Sequence, residues 1–346
     1  TLQGGVISPL LANIALHGME NLVKEYAKTL KGEKRANETA LSLIRYADDF
    51  VILHEDLGVI KECQKLIQTW LTEMGLELKP SKTKISHTLN EYEGNVGFNF
   101  LGFTIRQFPV GKCNSGKNTH GKLLGFKTLI KPSDEKVKAH NKKINLVIRK
   151  HKSSPQKALI KELNPIIRGW SNYYATVVSK ETFSACDATK YAQLKIWAER
   201  RQPKKPNTWV ANTYWHTEGN RNWVFSTREG ESSYKLRTHS ETKIVRHVKV
   251  QGNRSIYDGD LTYWSSRLGK HPEMPSDKAY LLKVQKGKCN HCGLMFKDGD
   301  LLEIDHIIPK SKGGNNSLKN KQLLHRHCHD TKTANDGSLT RSNKEY

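Results

Sequence analysis

The chain has 346 residues, enough for several separately packed units. Lys and Arg number 57 against 34 Asp and Glu, and a formal net charge of +23 spread along most of the length points to a polyanionic partner, nucleic acid above all. No apolar run approaches the roughly 20 residues that span a bilayer and no secretory segment opens the chain, so a membrane role is not expected. Of the six cysteines, Cys63, Cys113 and Cys186 are scattered while Cys289, Cys292 and Cys328 cluster late in the chain. Scattered free thiols suit a reducing compartment, which predicts a cytoplasmic protein.

In chain order, Gln3-Gly4-Gly5 is a loop that lets a backbone approach something closely, or simply enters a helix. Ser8 is predicted as N-cap and Pro9 as first helical residue, with Leu10, Leu11, Ile14, Leu22 and Val23 at helical spacing toward Leu30. Leu41 to Leu53 reads as a hairpin whose turn carries Ala47-Asp48-Asp49. Apolar strands on both sides predict that the two carboxylates end a buried hairpin, where like charges are costly without a cation, so Asp48 and Asp49 are candidate metal ligands.

Thr1-Leu-Gln-Gly-Gly-Val-Ile-Ser-Pro9, Tyr46-Ala-Asp-Asp49, Gly75-Leu-Glu-Leu-Lys-Pro-Ser-Lys-Thr-Lys84 and Phe100-Leu-Gly-Phe103 follow one another as the later blocks of a group II intron reverse transcriptase palm do, and the chain resembles that family. The resemblance implies that Asp48 and Asp49 carry catalytic Mg²⁺. It also places Gln3 and Gly4 near the incoming nucleotide, Lys82 close to the active site, and Leu101 and Gly102 in the strand region supporting the primer. In the family a third carboxylate lies upstream of the Gln-Gly-Gly loop, so a chain beginning at Thr1 is expected to be N-terminally truncated and doubtful as a polymerase.

Beyond a Gly-, Lys- and Asn-rich loop, Ser133 to His151 reads as a cationic helix. Asn164-Pro165 is predicted to start another, and Thr182 to cap a helix from Phe183 to Arg201. The run Leu163-Asn-Pro-Ile-Ile-Arg-Gly-Trp-Ser-Asn-Tyr-Tyr174 is similar to the thumb-like maturase domain of the same family, which binds intron RNA. Arg168, Tyr173 and Tyr174 are the candidate contacts, with Trp170 expected in the core. Pro203-Lys-Lys-Pro206 reads as a linker to a basic, aromatic segment, the family's DNA-binding position. There Trp209, Trp215, Trp223 and Trp264 are each expected in a core, and the alternation from Lys243 to Val250 is expected to be a strand.

The last segment dictates a chemistry most directly. Cys289-Asn-His-Cys292 and His325-Arg-His-Cys328 place donor pairs at matching spacing, which suits a tetrahedral structural Zn²⁺ held by Cys289, Cys292, His325 and Cys328; His327 is the alternative fourth ligand. Glu303-Ile-Asp305-His306, Asn320 and His329 form a harder set. Asp305 and His329 can share Mg²⁺ or another divalent cation, His306 can act as a base, and Asn320 can hold the loop between them. Glu303 lies on the strand face of Asp305. This segment resembles the HNH endonucleases appended to group II intron proteins, with Glu303 to His306 ending a strand and Ser317 to Asn320 returning to a helix carrying His325 to Lys332.

The expectation is therefore an α+β multidomain chain. It comprises a partial reverse-transcriptase palm (1–110), a helical thumb or maturase domain (111–202), a small basic β-containing segment (203–274) and a zinc-stapled ββα HNH nuclease (275–346). The resemblance implies group II intron RNA and target DNA as partners. A non-catalytic RNA-binding maturase remnant and a free-standing HNH DNA nickase are the competing readings.

Overall fold

A computed structural model describes residues 7–118, 120–252, 254–267, 274–297 and 299–337. The chain divides between Arg246 and His247 into two units. In the first, α1 (Ser8–Ala15) and α2 (Met19–Thr29) replace the single helix expected to run toward Leu30, and the residue capping α1 is Ile7, not Ser8. Gly18 breaks the run with φ +97°, a left-handed angle that side chains rarely adopt. From there Met19, Val23 and Ala27 recur on one face of α2 and are buried.

After α3 (Lys34–Ala40), β1 (Ser42–Tyr46) and β2 (Asp49–Leu53) form the expected antiparallel hairpin, with Tyr46 opposite Asp49. The helix α4 (Leu57–Glu73) is capped by Asp56, whose Oδ1 accepts the backbone N–H of Gly58 at 2.6 Å and of Val59 at 3.1 Å. Cys63, Ile67 and Leu71 on α4 close against Met19, Val23 and Ala27 to make one hydrophobic core.

A sheet of β3 (Phe98–Phe100), β4 (Phe103–Pro109) and β5 (Phe126–Pro132) follows, with β4 in the centre. Next come α5 (Asp134–Lys150), α6 (Gln156–Tyr174), α7 (Lys180–Arg201) and α8 (Asn207–Tyr214), then a meander of β6 (Trp215–Glu218), β7 (Arg221–Glu229) and β8 (Ser232–Lys235). The expected helix start at Asn164-Pro165 lies instead inside α6. Buried Leu159, Ile160, Leu163 and Ile167 keep both halves in one line. Asn164, rather than capping, donates from Nδ2 to the Lys235 carbonyl at 2.9 Å and accepts the Arg237 N–H at 2.8 Å. Likewise α7 starts at Lys180 behind Ser179, earlier than the expected cap at Thr182.

A single core joins Ile144 and Ile148 of α5, Leu159 and Leu163 of α6, Leu194 and Trp197 of α7, and Tyr214, Trp215, Phe225 and Leu236 beyond them. Packing thus runs across position 203, where the sequence suggested a linker. Trp215 and, in the second unit, Trp264 are buried as expected. Trp209 and Trp223 are not, at 41% and 62% exposed; the Lys205 ammonium lies over the Trp209 ring, and Trp223 sits at φ 59° in β7. Residues 243–250 form no strand; the Val245 N–H donates instead to the Ala175 carbonyl at 2.8 Å.

The second unit contains α9 (Leu261–Arg267), α10 (Ser276–Val284), β9 (Leu302–His306), β10 (Lys321–His325) and α11 (Arg326–Asn335). β9 and β10 pair antiparallel with Gln322 opposite Asp305, and α11 follows directly, giving a ββα unit. The strand β10 stands where the sequence suggested the entry to a helix. Its Leu323 and Leu324 are fully buried together with Leu281 and Leu282. Among the described residues no helix is long and apolar enough to cross a membrane.

Candidate metal centre and nuclease site

Cys289 and Cys292 flank a tight turn in which the Gly293 N–H donates to the Cys289 carbonyl at 2.8 Å and the Cys289 N–H to the Leu294 carbonyl at 2.9 Å. His325 ends β10 and Cys328 lies in the first turn of α11. These elements bring one donor atom from each of Cys289, Cys292, His325 and Cys328 within 4.8 Å of one another. Metal–ligand bonds of about 2.0–2.3 Å in a tetrahedron require donors of just such mutual closeness, so the residues fit a structural ion.

His325 approaches Cys292 Sγ through Nδ1 at 3.4 Å, while its Nε2 lies 3.4 Å from Asp300 Oδ2, a carboxylate placed to orient the ring. His327 is exposed and stacks on the His325 ring at 5.2 Å without joining the donor group. Burial pushes the Cys289 thiol up, but backbone hydrogen bonds from Cys292, His325 and His291 outweigh it and bring the group down to about 6. Burial and the neighbouring sulfurs push Cys328 up to about 12. The cage thus resists holding several thiolates by itself, and a cation would relieve it.

On the adjoining face of the same ββα unit, β9 sends Glu303 and Asp305 to one side and His306 to the other. His329, one residue beyond Cys328 on α11, lies with Nε2 3.7 Å from Asp305 Oδ1 and with Nδ1 2.6 Å from Glu303 Oε2, off the line of a hydrogen bond. Asp305 is buried, and its Oδ2 accepts from Lys332 Nζ at 2.8 Å and Gln322 Nε2 at 2.9 Å. Only Oδ1 is left facing His329. One open carboxylate oxygen and one imidazole nitrogen at this spacing fit two ligands of a divalent ion.

His306 Nε2 lies 2.9 Å from Asn316 Oδ1. Because an amide oxygen only accepts, this contact puts the proton on Nε2 and leaves Nδ1 with its lone pair. Asn320 clasps the backbone of Ile308 from both sides, accepting its N–H at 3.0 Å and donating to its carbonyl at 3.0 Å. The same Nδ2 donates to the Asn315 carbonyl at 2.8 Å, and the Asn320 carbonyl accepts the Ile307 N–H at 2.8 Å.

Sequence reasoning missed Lys332, Gln322 and Asn316. Lys332 also bonds the His306 carbonyl at 2.8 Å and Asp336 at 3.0 Å, and Asp305 and Asp336 raise its pKa against the opposing effect of burial. Its position three residues after His329, on the same face of a helix, was the available signal.

Among the residues expected in a palm, the expected burial of the Asp48–Asp49 hairpin end is corrected. Asp48 and Asp49 are exposed at the hairpin turn, where Ala47 takes φ 53°, so burial does not force a cation there. Gln3 and Gly4 lie outside the described residues. Lys82 is exposed in the turn after α4. Leu101 and Gly102 form the tip of the β3–β4 hairpin, with φ 49° and 80°. There the Tyr173 hydroxyl donates to the Leu101 carbonyl at 2.8 Å and the Tyr174 hydroxyl to the Gly102 carbonyl at 3.1 Å. The tyrosines singled out for RNA thus grip the turn singled out for the primer; Tyr174 is buried, whereas Tyr173 and Arg168 are exposed. Trp170, expected in the core, is partly buried and stacks on His140 at 4.3 Å.

Residues 1–105 match the reverse transcriptase (RNA-dependent DNA polymerase) family, residues 137–215 the group II intron maturase-specific domain, and residues 289–335 the HNH endonuclease family. These are the parts of an enzyme family that acts on nucleic acid. In this order on one chain they are consistent with a group II intron-encoded reverse transcriptase/maturase with an HNH domain. The chain is similar to the group II intron-encoded protein LtrA of Lactococcus lactis subsp. cremoris, 29% identical over 241 residues that make up 50% of this chain and 39% of that protein. It is also similar to an uncharacterized 91 kDa protein in the cob intron of Schizosaccharomyces pombe, 25% identical over 53% of this chain and 29% of that protein. Protein YkfC of Escherichia coli K12 is 33% identical over 30% of this chain and 31% of its own length. The chain therefore spans well under half of each of these relatives.

Proposed function

We propose that the protein binds group II intron RNA through its maturase helices and cuts target DNA through the HNH unit. The observation that carries the cutting is the arrangement around Asn320. Its clasp on Ile308 fixes the loop that follows His306, while Asp305 Oδ1 and His329 Nε2 face each other at 3.7 Å beside it. His306 Nδ1 takes the proton of the attacking water as the bond to the phosphorus forms, and Asn316 holds the ring in the tautomer that permits this. A Mg²⁺ or similar ion on Asp305 and His329 would supply charge stabilisation at the phosphate and the departing 3′ oxygen. Zn²⁺ on Cys289, Cys292, His325 and Cys328 would fix the start of α11 and with it His329.

At the palm, Asp48 and Asp49 are read as ligands of a polymerase Mg²⁺, with Gln3, Gly4 and Lys82 toward the nucleotide and Leu101 and Gly102 toward the primer. Arg168 and Tyr173 are read as contacts to RNA, and Tyr174 as their support.

The test is nicking of supercoiled DNA by the purified chain in Mg²⁺, with and without intron RNA. His306→Ala should lower the rate on the order of 10²- to 10⁴-fold while zinc stays bound. Unchanged cutting by that variant would remove His306 as the base. RNA binding by a wild-type chain that cuts no DNA with any divalent ion would favour the non-catalytic maturase remnant instead.

A further inference from the structure

A cavity of about 560 Å³ opens between the C-terminal halves of α5 and α7. Its floor is Ile148 and the edge of Trp197, both buried, and its wall includes the half-exposed Ile196. The rim carries Arg149, Lys152 and Arg200, all exposed and all without an acidic partner among the described residues, and no carboxylate lines the space. Such a volume lies within the roughly 300–1,000 Å³ of small-ligand sites, and unpaired cations gathered around an apolar floor favour a ligand with both a flat apolar body and an anion.

Two further details make this a built site. The wall is rigid: Arg201 donates to the Lys152 carbonyl at 3.0 Å and the Ser154 carbonyl at 2.9 Å, its guanidinium lies 4.7 Å over the Trp197 ring, and Trp197 Nε1 donates to the His151 carbonyl at 2.9 Å. The other is Gln193, whose Oε1 is buried at the cavity with no hydrogen-bond partner among the described residues. A buried orphan acceptor costs on the order of 1–3 kcal/mol unless a donor reaches it. An amino group on a base edge is such a donor.

We propose that this cavity receives one unpaired nucleotide of an RNA strand, with Arg149, Lys152 and Arg200 on its phosphates and Gln193 on the base. The proposal rests on the RNA-binding reading above and assigns it a particular pocket, distinct from the surface of Arg168 and Tyr173. It also names what is recognised: an extruded base carrying an amino donor, not a helical shape.

The experiment measures binding of the full chain to labelled single-stranded oligo(A), oligo(C) and oligo(U) RNA, to blunt duplex RNA and to single-stranded DNA over a salt series. The combined variant Arg149→Gln, Lys152→Gln, Arg200→Gln should weaken single-stranded RNA binding on the order of 10-fold or more and flatten the salt slope by about 2, three phosphate contacts at roughly 0.7 each. Gln193→Leu should leave the slope alone and erase the preference for oligo(A) and oligo(C) over oligo(U), since only the first two present an amino group at that edge. Because the three cations are exposed, the folded state should survive, and circular dichroism of each variant checks it.

Wild-type affinity in the triple variant, or an equal loss on duplex RNA, would overturn the pocket while leaving RNA binding elsewhere intact. An equal loss on single-stranded DNA would overturn the choice of RNA. A wild-type chain that binds none of these RNAs would overturn the RNA-binding reading itself.

Discussion

His140 and His239 meet Nε2 to Nε2 at 2.8 Å in the interior of the first unit. Asp187 Oδ1 lies 2.7 Å from His239 Nδ1, so that nitrogen carries a proton, His239 Nε2 accepts, and His140 donates. Lys190 completes the group at 2.9 Å from Asp187, and the His140 ring stacks on Trp170. Burial, with the nearby His239, Lys143 and Lys190, pushes His140 from its ordinary 6.5 down to about 3, and burial lowers His239 as well.

Between those values the unfolded chain binds the proton and the folded chain does not, so this contribution to stability is complete above about pH 6.5 and is lost as pH falls toward 3. The slope should approach about 1.4 kcal/mol per pH unit for each such histidine. Urea melts of the wild type and His140→Gln at pH 8 and pH 5 check it. The variant should be the weaker protein at pH 8 and should lose less on acidification; an equal loss in both would show that another group sets the slope.

Metal removal should act on the second unit. A chelator strong enough to strip the Cys289, Cys292, His325 and Cys328 site should lower the melting transition of that unit and release one equivalent of metal, read by a colorimetric zinc dye. Rebinding should release protons, because thiols such as Cys328 must ionise to ligate. Cys328→Ser should lose the metal, whereas His327→Ala should keep it.

Asn320→Ala removes four hydrogen bonds' worth of loop definition only in part, since the bond from Ile307 N–H to its backbone carbonyl remains. The exposed loop can then turn to water, so the stability loss should be modest, about 1 kcal/mol. The cleavage rate should fall far more, because the segment after His306 loses its clasp. A parallel measurement of melting temperature and nicking rate separates the two effects; equal and small changes in both would deny Asn320 a positioning role.

Gly102→Ala should destabilise the first unit. Its φ of +80° costs a side-chain-bearing residue about 1–2 kcal/mol. The new Cβ would also lie 3.0 Å from the Tyr174 hydroxyl, tighter than ordinary contact. Thermal melts of Gly102→Ala and of Tyr174→Phe should both show losses, the second smaller, since Tyr174→Phe removes one donor to the Gly102 carbonyl while the Ser133 N–H at 2.9 Å remains.

Local patterns were legible in the sequence. The β1–β2 hairpin, the strand ending at His306, the cationic α5 and the paired spacing of Cys289, Cys292, His325 and Cys328 all follow from short-range rules. What was hidden depends on partners distant in the chain. Leu323 and Leu324 break the alternation of a strand because both faces of β10 are covered, so the segment reads as a helix entry. Asn164-Pro165 carries a start signal that the buried face of α6 overrides. Tyr173 and Tyr174 look like free aromatic contacts until Leu101 and Gly102 are placed beneath them, and the exposure of Asp48 and Asp49 depends on what does not pack over their turn.

The core that unites α5 to α8 with β7 has a practical consequence for dissecting the protein. A fragment ending at residue 215, where the maturase match stops, would leave behind Phe225 and Leu236, which are 4% and 5% exposed in the intact unit. It would open an apolar wound against Trp197 and Tyr214 and invite aggregation. A cut after Arg246 leaves that interior whole. The smallest piece that keeps this interior closed is therefore set by where the hydrophobic packing ends, some thirty residues past the point at which the maturase match stops.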